Sequence, residues 1–559
     1  MVYYNWDGVS TTDPAFTPQY EGDPRRTLTE STTKNNNYLV NFLVNYDKTF
    51  GDHSLKMLAG LEQYQRASSY FSISKKDFDA DNLDQLIFGN TVDVITQDNP
   101  GATRWRNLLG RINYDYKSKI LAEFVFRYQG SSIFYKDYRW GFFPGGSLAY
   151  RISEEKFWKD HLSFISYFKI RCSYGITGND LIEPFQYLSL YETRYSRYIE
   201  QVGNSGSLTP YNVLSESTVP YVGVTWEKAK QLDIGIDALT LRDKLSITFD
   251  YFYNRRDDIL TPKEGEIPES TGIIPSDENI GKFENKGVDF EIRYNSPSKK
   301  KFKYQVSFNG LYAKNKILFF DETAGIPDYQ KQTGHPIGGA LYYNVLGIYQ
   351  NQADLDKQPL GLDGTPAQLG DLIFEDVNKD GIVDSRDQVR SYKTSTPTTS
   401  GGINISLQYS NFDLTILFQG AFGAERYMRP TFSLEGNYLQ SFYDNRWTPE
   451  NADSDFPRIF DSYSAYWSNP NGVYNTFFIR KTDYVRVKNI ELGYNFPKAW
   501  LDKLRMDNVR IYLSGLNLWT IAPDLKDFDT DPEQTIRYQF YGESYPLQRV
   551  INLGITLSI

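Results

Sequence analysis

Apolar and polar side chains alternate one by one through much of this chain. In VINLGITLSI, at its C-terminal end, Ile551, Leu553, Ile555, Leu557 and Ile559 share one face, and Asn552, Gly554, Thr556 and Ser558 share the other. A period of two places successive side chains on opposite faces of an extended strand and fits a helix badly. INISLQYSNFDLTILFQG carries the pattern twice. Ile403, Ile405, Leu407 and Tyr409 oppose Asn404, Ser406 and Gln408, then Phe412, Leu414, Ile416 and Phe418 oppose Asp413, Thr415 and Gln419. Ser410 and Asn411 between them predict a tight hairpin. The same reading predicts strands over 38–47, 53–68, 103–116, 119–130, 141–152, 164–176, 226–239, 244–256, 286–295, 302–314, 400–409, 412–420, 484–495, 508–517 and 548–559. With a partial strand at VYYNW, near the start, about sixteen strands are expected.

The connections carry as much information as the strands. Short ones (TFGDH, KS, TLRD, SPSKKK, SN) alternate with long ones at 69–102, 177–225, 257–285, 315–399, 421–483 and 518–547. Two intermediate links, 153–163 and 496–507, stand where short ones are due, and 131–140 is brief where a long one is due. An antiparallel up-and-down transmembrane β-barrel has this asymmetry, with tight periplasmic turns and long extracellular loops, and its strands turn apolar residues to lipid and polar ones to the lumen. In SKILAEFVFRYQG, Ile120, Ala122, Phe124, Phe126 and Tyr128 would then face lipid, and Glu123, Arg127 and Gln129 the lumen. The alternative is a secreted, soluble β-rich protein, a calcium-binding glycan-binding or adhesion module, in which the same apolar faces pack a core. No 40- to 50-residue repeat of the propeller kind is present, and soluble sandwiches seldom carry a long loop at every second connection.

Composition narrows the choice. Aromatic residues make up 16% of the chain, 44 Tyr and 36 Phe among them, yet mean hydropathy is -0.53, a combination that suits half-exposed strands. No run approaches the roughly 18 consecutive apolar residues of a membrane-spanning helix. A net charge of -10 argues against nucleic acid as a partner, because phosphate contacts need clustered Lys and Arg; Lys299, Lys300 and Lys301 read as a solvated turn. One cysteine, Cys172, excludes a disulfide framework and reads as a small buried or lipid-facing hydrophobe. His53, His161 and His335 are far apart in sequence, and HExxH, GxSxG and Gly-rich phosphate motifs are absent, so nothing points to an enzyme.

One segment does carry site chemistry. DVNKDGIVDSRD, 376–387, matches the twelve-residue loop that wraps Ca²⁺, with oxygen donors at positions 1, 3, 5, 7, 9 and 12 and glycine at 6. The donors would be Asp376, Asn378, Asp380, the carbonyl of Ile382, Asp384 and Asp387, with Gly381 at the sharp turn. Hard oxygen ligands favour calcium over zinc. The twelfth position holds Asp387 where calcium-sensing loops carry the longer glutamate, and no amphipathic helix flanks the loop, so a structural ion is expected rather than a sensor. It would hold the shape of the long extracellular loop 315–399, an excursion expected to have little core of its own.

Nine stretches, in order over most of the chain, resemble the SusC/RagA-like TonB-dependent outer-membrane transporters. They are RWGFFPGGSLAYRISEEKFW (139–158), FKIRCSYGITGND (168–180), TWEKAKQLDIGID (225–237), NIGKFENKGVDFEI (279–292), GDLIFEDVNKDGIVDSRDQ (370–388), FDLTILFQGAFG (412–423), RWTPEN (446–451), DYVRVKNIELGYNFPKAWL (483–501) and VRIYLSGLNLWT (509–520). The resemblance implies a barrel of about 22 strands around a plug in the outer membrane. Residues 1–559 would be its C-terminal barrel portion, with the plug, the TonB-contacting segment and about six strands lying outside this sequence. It further implies a SusD-like surface lipoprotein as partner, coupling to TonB, contact with outer-membrane lipid, and an oligosaccharide or peptide as cargo. Trp447 and Trp467, in the loops, could stack on sugars or pack the loops.

Overall fold

All fifteen strands predicted above enter a single antiparallel sheet. The computed structural model describes residues 2–6, 16–20, 27–76, 78, 85–91, 94–201, 208–218, 220–263, 276–297, 301–358, 361–428, 440–459, 474–504, 506–526, 528, 530–534 and 547–558. In chain order the sheet comprises β1 (Thr27–Phe50), β2 (His53–Lys76), β3 (Ile95–Tyr116), β4 (Ile120–Ser131), β5 (Trp140–Arg151), β6 (Ile165–Asn179), β7 (Glu227–Thr240), β8 (Leu245–Thr261), β9 (Glu278–Asn295) and β10 (Phe302–Phe319). It continues with β11 (Thr399–Tyr409), β12 (Phe412–Phe422), β13 (Tyr484–Asn495), β14 (Asn508–Ile521) and β15 (Val550–Ser558). Each strand pairs with its sequence neighbours, in the order of an up-and-down meander, and β1 and β15 are the edges. The expected sixteenth strand goes elsewhere: Val2–Trp6 pairs with Phe16–Tyr20 in a separate two-stranded sheet.

The faces divide as the alternation predicts. Ile120, Phe124 and Tyr128 on β4 are 39%, 45% and 40% exposed, and Ile551, Leu553, Ile555 and Leu557 on β15 are more exposed still; Ile559 lies outside the described residues. The opposite face is polar and internally paired. Glu62 Oε1 accepts from Arg127 Nη2 at 2.7 Å and from Asn107 Nδ2 at 2.6 Å. Arg510 Nη2 donates to Asp413 at 2.5 Å and to Glu491 at 2.6 Å. Arg171 on β6 reaches Asp250 on β8 at 2.5 Å by lying across Gly235 of the intervening β7. A Cβ at Gly235 would meet both the Asp250 carboxylate and the Arg171 guanidinium, so only glycine leaves that path open. No second sheet packs on the apolar rows among the described residues; the buried clusters lie toward the long-loop end instead. The soluble-sandwich alternative required those rows to press on each other.

The short turns are tight. Lys117 and Ser118 take φ of 54° and 55° between β3 and β4, the left-handed geometry of a hairpin whose twist matches the strands. The two intermediate links at the same end each hold a short helix, α1 (Lys156–His161) and α2 (Lys498–Leu504). Trp158 of α1 stacks on Phe168 at 5.0 Å and donates from Nε1 to the Ile165 carbonyl at 3.0 Å, which folds the link back onto its own strand. Of the lysine run 299–301, only Lys301 lies within the described residues, and it is exposed.

Candidate functional site: the loop platform at the barrel mouth

At the opposite end, the described residues of the connections 320–398, 423–483 and 522–549 share one body. Short strand pairs start it: Leu341–Tyr343 with Gln388–Arg390, Val345–Ile348 with Leu372–Phe374, and Glu425–Tyr427 with Ile479–Lys481. Their apolar faces meet in a core of Tyr343, Leu372, Phe374, Met428, Phe442, Phe478, Leu525 and Phe528, with Leu362 and Val383 beside them. Phe442 packs on Phe478 at 6.1 Å and edge-on against Phe528 at 5.8 Å, and with Tyr343 and Phe374 from 320–398 in the same cluster all three connections contribute rings. The connection 315–399, expected to have little core of its own, shares this one with the other two connections. Its half of the core is a few apolar residues, Tyr343 to Val383, that are buried against partners from Met428 to Phe528, at least 45 positions further along the chain.

Buried polar groups lock the platform. Asn475 is fully buried and its side chain accepts from the Phe477 amide at 3.1 Å, while Tyr343 N donates to the Tyr474 carbonyl at 2.8 Å. Asp371, 2% exposed, pairs with Arg458 at 2.5 Å and accepts from Gln368 N at 2.9 Å. Burial outweighs Arg458 and holds the Asp371 carboxyl above the usual range; burial likewise pushes the Tyr349 phenol up to about 12. Trp447 packs beside Gly370, where a Cβ would strike its ring, and Gly370 N–H and C=O bridge Tyr349 and Arg458. Trp447 is thus a packing element of the platform, and Trp467 lies outside the described residues. Between two of the connections is a cavity of about 430 Å³ lined by Tyr342, Ser391, Lys393, Thr394, Glu425 and Tyr427. Lys393 Nζ and Glu425 pair across it at 2.6 Å.

The aspartate loop 376–387 lies on this platform. Asp376 accepts from Lys379 N at 2.7 Å and Gly381 N at 2.9 Å, Asn378 Oδ1 from Asp380 N at 2.8 Å, and Asp380 Oδ1 from Ile382 N at 3.0 Å. Gly381 has φ of 87°, the left-handed conformation that the turn requires. Asp387 is fully buried and joins the loop's two ends: Oδ1 accepts from Val377 N and Asn378 N at 2.9 and 3.1 Å, and Oδ2 from Asp384 N at 2.9 Å. Arg386 Nη2 bridges Asp380 and Asp384, each at 2.7 Å, and its hydrogen bonds hold the Asp384 carboxyl below the usual range. The Ile382 side chain points outward, 46% exposed. Among the described residues, no group of three or more His, Cys, Asp or Glu side chains is close enough to hold a metal. The positive charge among these carboxylates is that of Arg386.

Sequence reasoning missed the strongest polar cluster. Arg486 on β13 is wholly buried, with Asp531 at 2.6 Å, Thr520 Oγ1 at 2.8 Å and Glu533 as a third partner. Both acids come from the connection 522–549, which dips back to the wall just inside the mouth. Nothing local marks the pair, because Arg486 and Glu533 are separated by a strand, a turn and a loop.

A greasy outer face, a hydrogen-bonded polar inner face and loops consolidated at one end define the wall of an outer-membrane β-barrel. The family model for the TonB dependent receptor-like β-barrel matches residues 2–518, and the chain belongs to that family. It is 30% identical over 554 residues to TonB-dependent receptor P3 of Formosa agariphila, covering 94% of this chain and 52% of that protein. To TonB-dependent receptor SusC of Bacteroides thetaiotaomicron it is 26% identical over 552 residues, covering 93% and 50%. The fold matches the structure of the RagAB peptide transporter with a TM-score of 0.76 at 21% identity, covering 97% of this chain and 57% of that one. The chain thus spans about half the length of the relatives it matches, and it is a SusC-like barrel of the outer membrane.

Proposed function

We propose that this chain is the barrel portion of a TonB-dependent importer that takes up oligosaccharides through its lumen, with a SusD-like lipoprotein seated on the loop platform. The observation that carries the reading is the platform itself: three extracellular connections sharing one core give a rigid docking surface above a polar passage. The exposed edges β1 and β15 are where the remaining strands of a closed barrel would pair. The tyrosine- and hydroxyl-lined cavity of about 430 Å³ suits a sugar ring. Peptide cargo is the second reading, favoured by the fold shared with the RagAB peptide transporter. Cells carrying the gene and cells deleted for it should differ in uptake of fluorescent oligosaccharides, with the difference abolished by a protonophore. Loss of peptide uptake alone would move the assignment to the second reading, and no loss of either would refute import.

The aspartate loop is proposed to take Ca²⁺ as a structural ion, with Asp376, Asn378, Asp380, the Ile382 carbonyl, Asp384 and Asp387 as donors and Arg386 swinging out of the way. Support comes from the donor spacing and the Asx turns that already curl the loop. Calorimetric titration should show calcium uptake that a chain with Asp376→Asn and Asp380→Asn loses; equal uptake by both would refute the site.

A further inference from the structure

Glu533 is bound by the wall as a ligand is bound by a receptor. Its carboxylate accepts from Tyr484 OH at 2.8 Å, Gln419 Nε2 at 3.0 Å and Lys488 Nζ at 3.0 Å, and Arg486 Nη1 completes the set. All four donors stand on β12 and β13, inside the mouth, whereas the acid arrives on a loop. Asp531 takes the other edge of the guanidinium at 2.6 Å and turns back to accept from Glu533 N at 2.8 Å. The Gln534 carbonyl is held by Arg426.

Removing the acid from this setting has a specific consequence. Arg486, 0% exposed, and Lys488 would be left facing a single carboxylate, and a buried cation stripped of its partner is strongly unfavourable. A neutral ligand could not lift the strap without leaving that charge uncompensated. A ligand carboxylate could, because it exchanges one set of charge-assisted hydrogen bonds for an equal one.

We propose that Gln419, Tyr484, Arg486 and Lys488 form a carboxylate-binding site in the barrel mouth, that Glu533 fills it in the resting chain, and that a carboxylate on the cargo displaces it while Asp531 stays on Arg486, releasing the strap beyond Asp531, residues 532–534. The proposal deepens the import reading and rests on it for treating the ligand as cargo. The chemistry is common to a uronic acid of an acidic oligosaccharide and to the C-terminus of a peptide.

The test uses the full chain in outer-membrane vesicles, with exposed Cys172 changed to Ser and Gln534→Cys as reporter, read by the rate of labelling with a membrane-impermeant maleimide. Thr530→Cys, at the position whose hydroxyl contacts the Gln534 side chain at 3.0 Å and is uncovered when 534 leaves, is the second reporter should the first variant fail to assemble. Probes are trigalacturonate and N-acetyl-trialanine, with maltotriose and N-acetyl-trialanine amide as their neutral counterparts, all above the effective concentration of a tethered group, on the order of millimolar. One or both carboxylates should raise the rate about tenfold, the responding one identifying the source, and the neutral probes should leave it unchanged. Glu533→Gln should raise it without any probe. An unchanged rate in Glu533→Gln, or a Glu533→Gln response with none to either carboxylate, would make the cluster a structural pin and overturn the proposal. Uptake is scored separately: labelling without uptake refutes import alone, and uptake without labelling refutes this site alone.

Discussion

The strand wall and the loop platform dispose of the same kind of side chain in opposite ways. On the wall, Leu553 is 75% exposed and Phe412 51%; on the platform, Phe478 and Phe374 are each 1% exposed. The difference lies in what surrounds each region. The wall's outer solvent is hydrocarbon, so its apolar rows need no protein partner and backbone pairing within the sheet supplies the order. The platform stands in water and is stable only if loops from three separate hairpins bury their rings together. A defect in the wall should therefore be felt as failed membrane insertion, and a defect in the platform as loosened loops on an intact barrel.

The largest effect is expected in the platform core. Phe478→Ala removes a fully buried ring and should cost about 3–5 kcal/mol of loop stability, seen as rapid protease cleavage within 423–483 while the strands stay protected. Cleavage of loops and strands together would erase the distinction between the regions. Next comes the wall, where Ile405→Arg on the lipid face should cost about 2–4 kcal/mol near the bilayer midplane and lower the assembled fraction. Its neighbour Ser406→Arg, on the polar face, should assemble normally; equal losses would mean that the faces are misassigned.

Acid should loosen the strap before the wall. Burial alone would raise the Glu533 carboxyl, but the hydrogen bonds from Lys488 and Tyr484 and the nearby charge of Arg486 outweigh it, so its folded value lies below the ordinary 4.5. A depressed carboxyl stabilises the fold fully above its unfolded value, and that contribution is lost as pH falls through the folded value. Labelling at residue 534, taken relative to an exposed reference cysteine at each pH because thiolate reactivity itself falls with acid, should therefore stay flat from neutral pH down to the ordinary 4.5 and rise below it, and Glu533→Gln should flatten the curve. The smallest effect is expected at Arg386→Ala, an exposed side chain whose ion pairs lie at the surface, with little or no shift in a thermal melt. Asp387→Ala, which strands three backbone amides in the same loop, should cost clearly more, about 1–3 kcal/mol. Equal effects would show that the Arg386 bridge, not Asp387, shapes the loop.

What the sequence disclosed follows the same division. Each of the fifteen wall strands was legible because a period of two is a local signal with one face committed to lipid. Their long-loop ends were not. β1 begins at Thr27, eleven residues before the predicted 38, because TLTESTTKNNN projects beyond the apolar belt and is polar on both faces. The hairpin Leu190–Gln201 with Leu208–Thr218 lies inside the connection expected to be loop, and its apolar residues do not alternate one by one. In the site, the aspartate spacing was visible, since its turns close within six residues. The Arg486–Glu533 cluster and the Phe442–Phe478–Phe528 core were not, since each depends on groups brought together by the sheet from distant positions.

The central claim is that the apolar rows of the wall face hydrocarbon. It is tested most directly by placing a bimane label at each position from 403 to 408 on β11, in a chain with Cys172→Ser, and measuring quenching by brominated lipid acyl chains. Labels at 403, 405 and 407 should be quenched, and those at 404, 406 and 408 should not. Uniform quenching, or none at any of the six, would contradict the account.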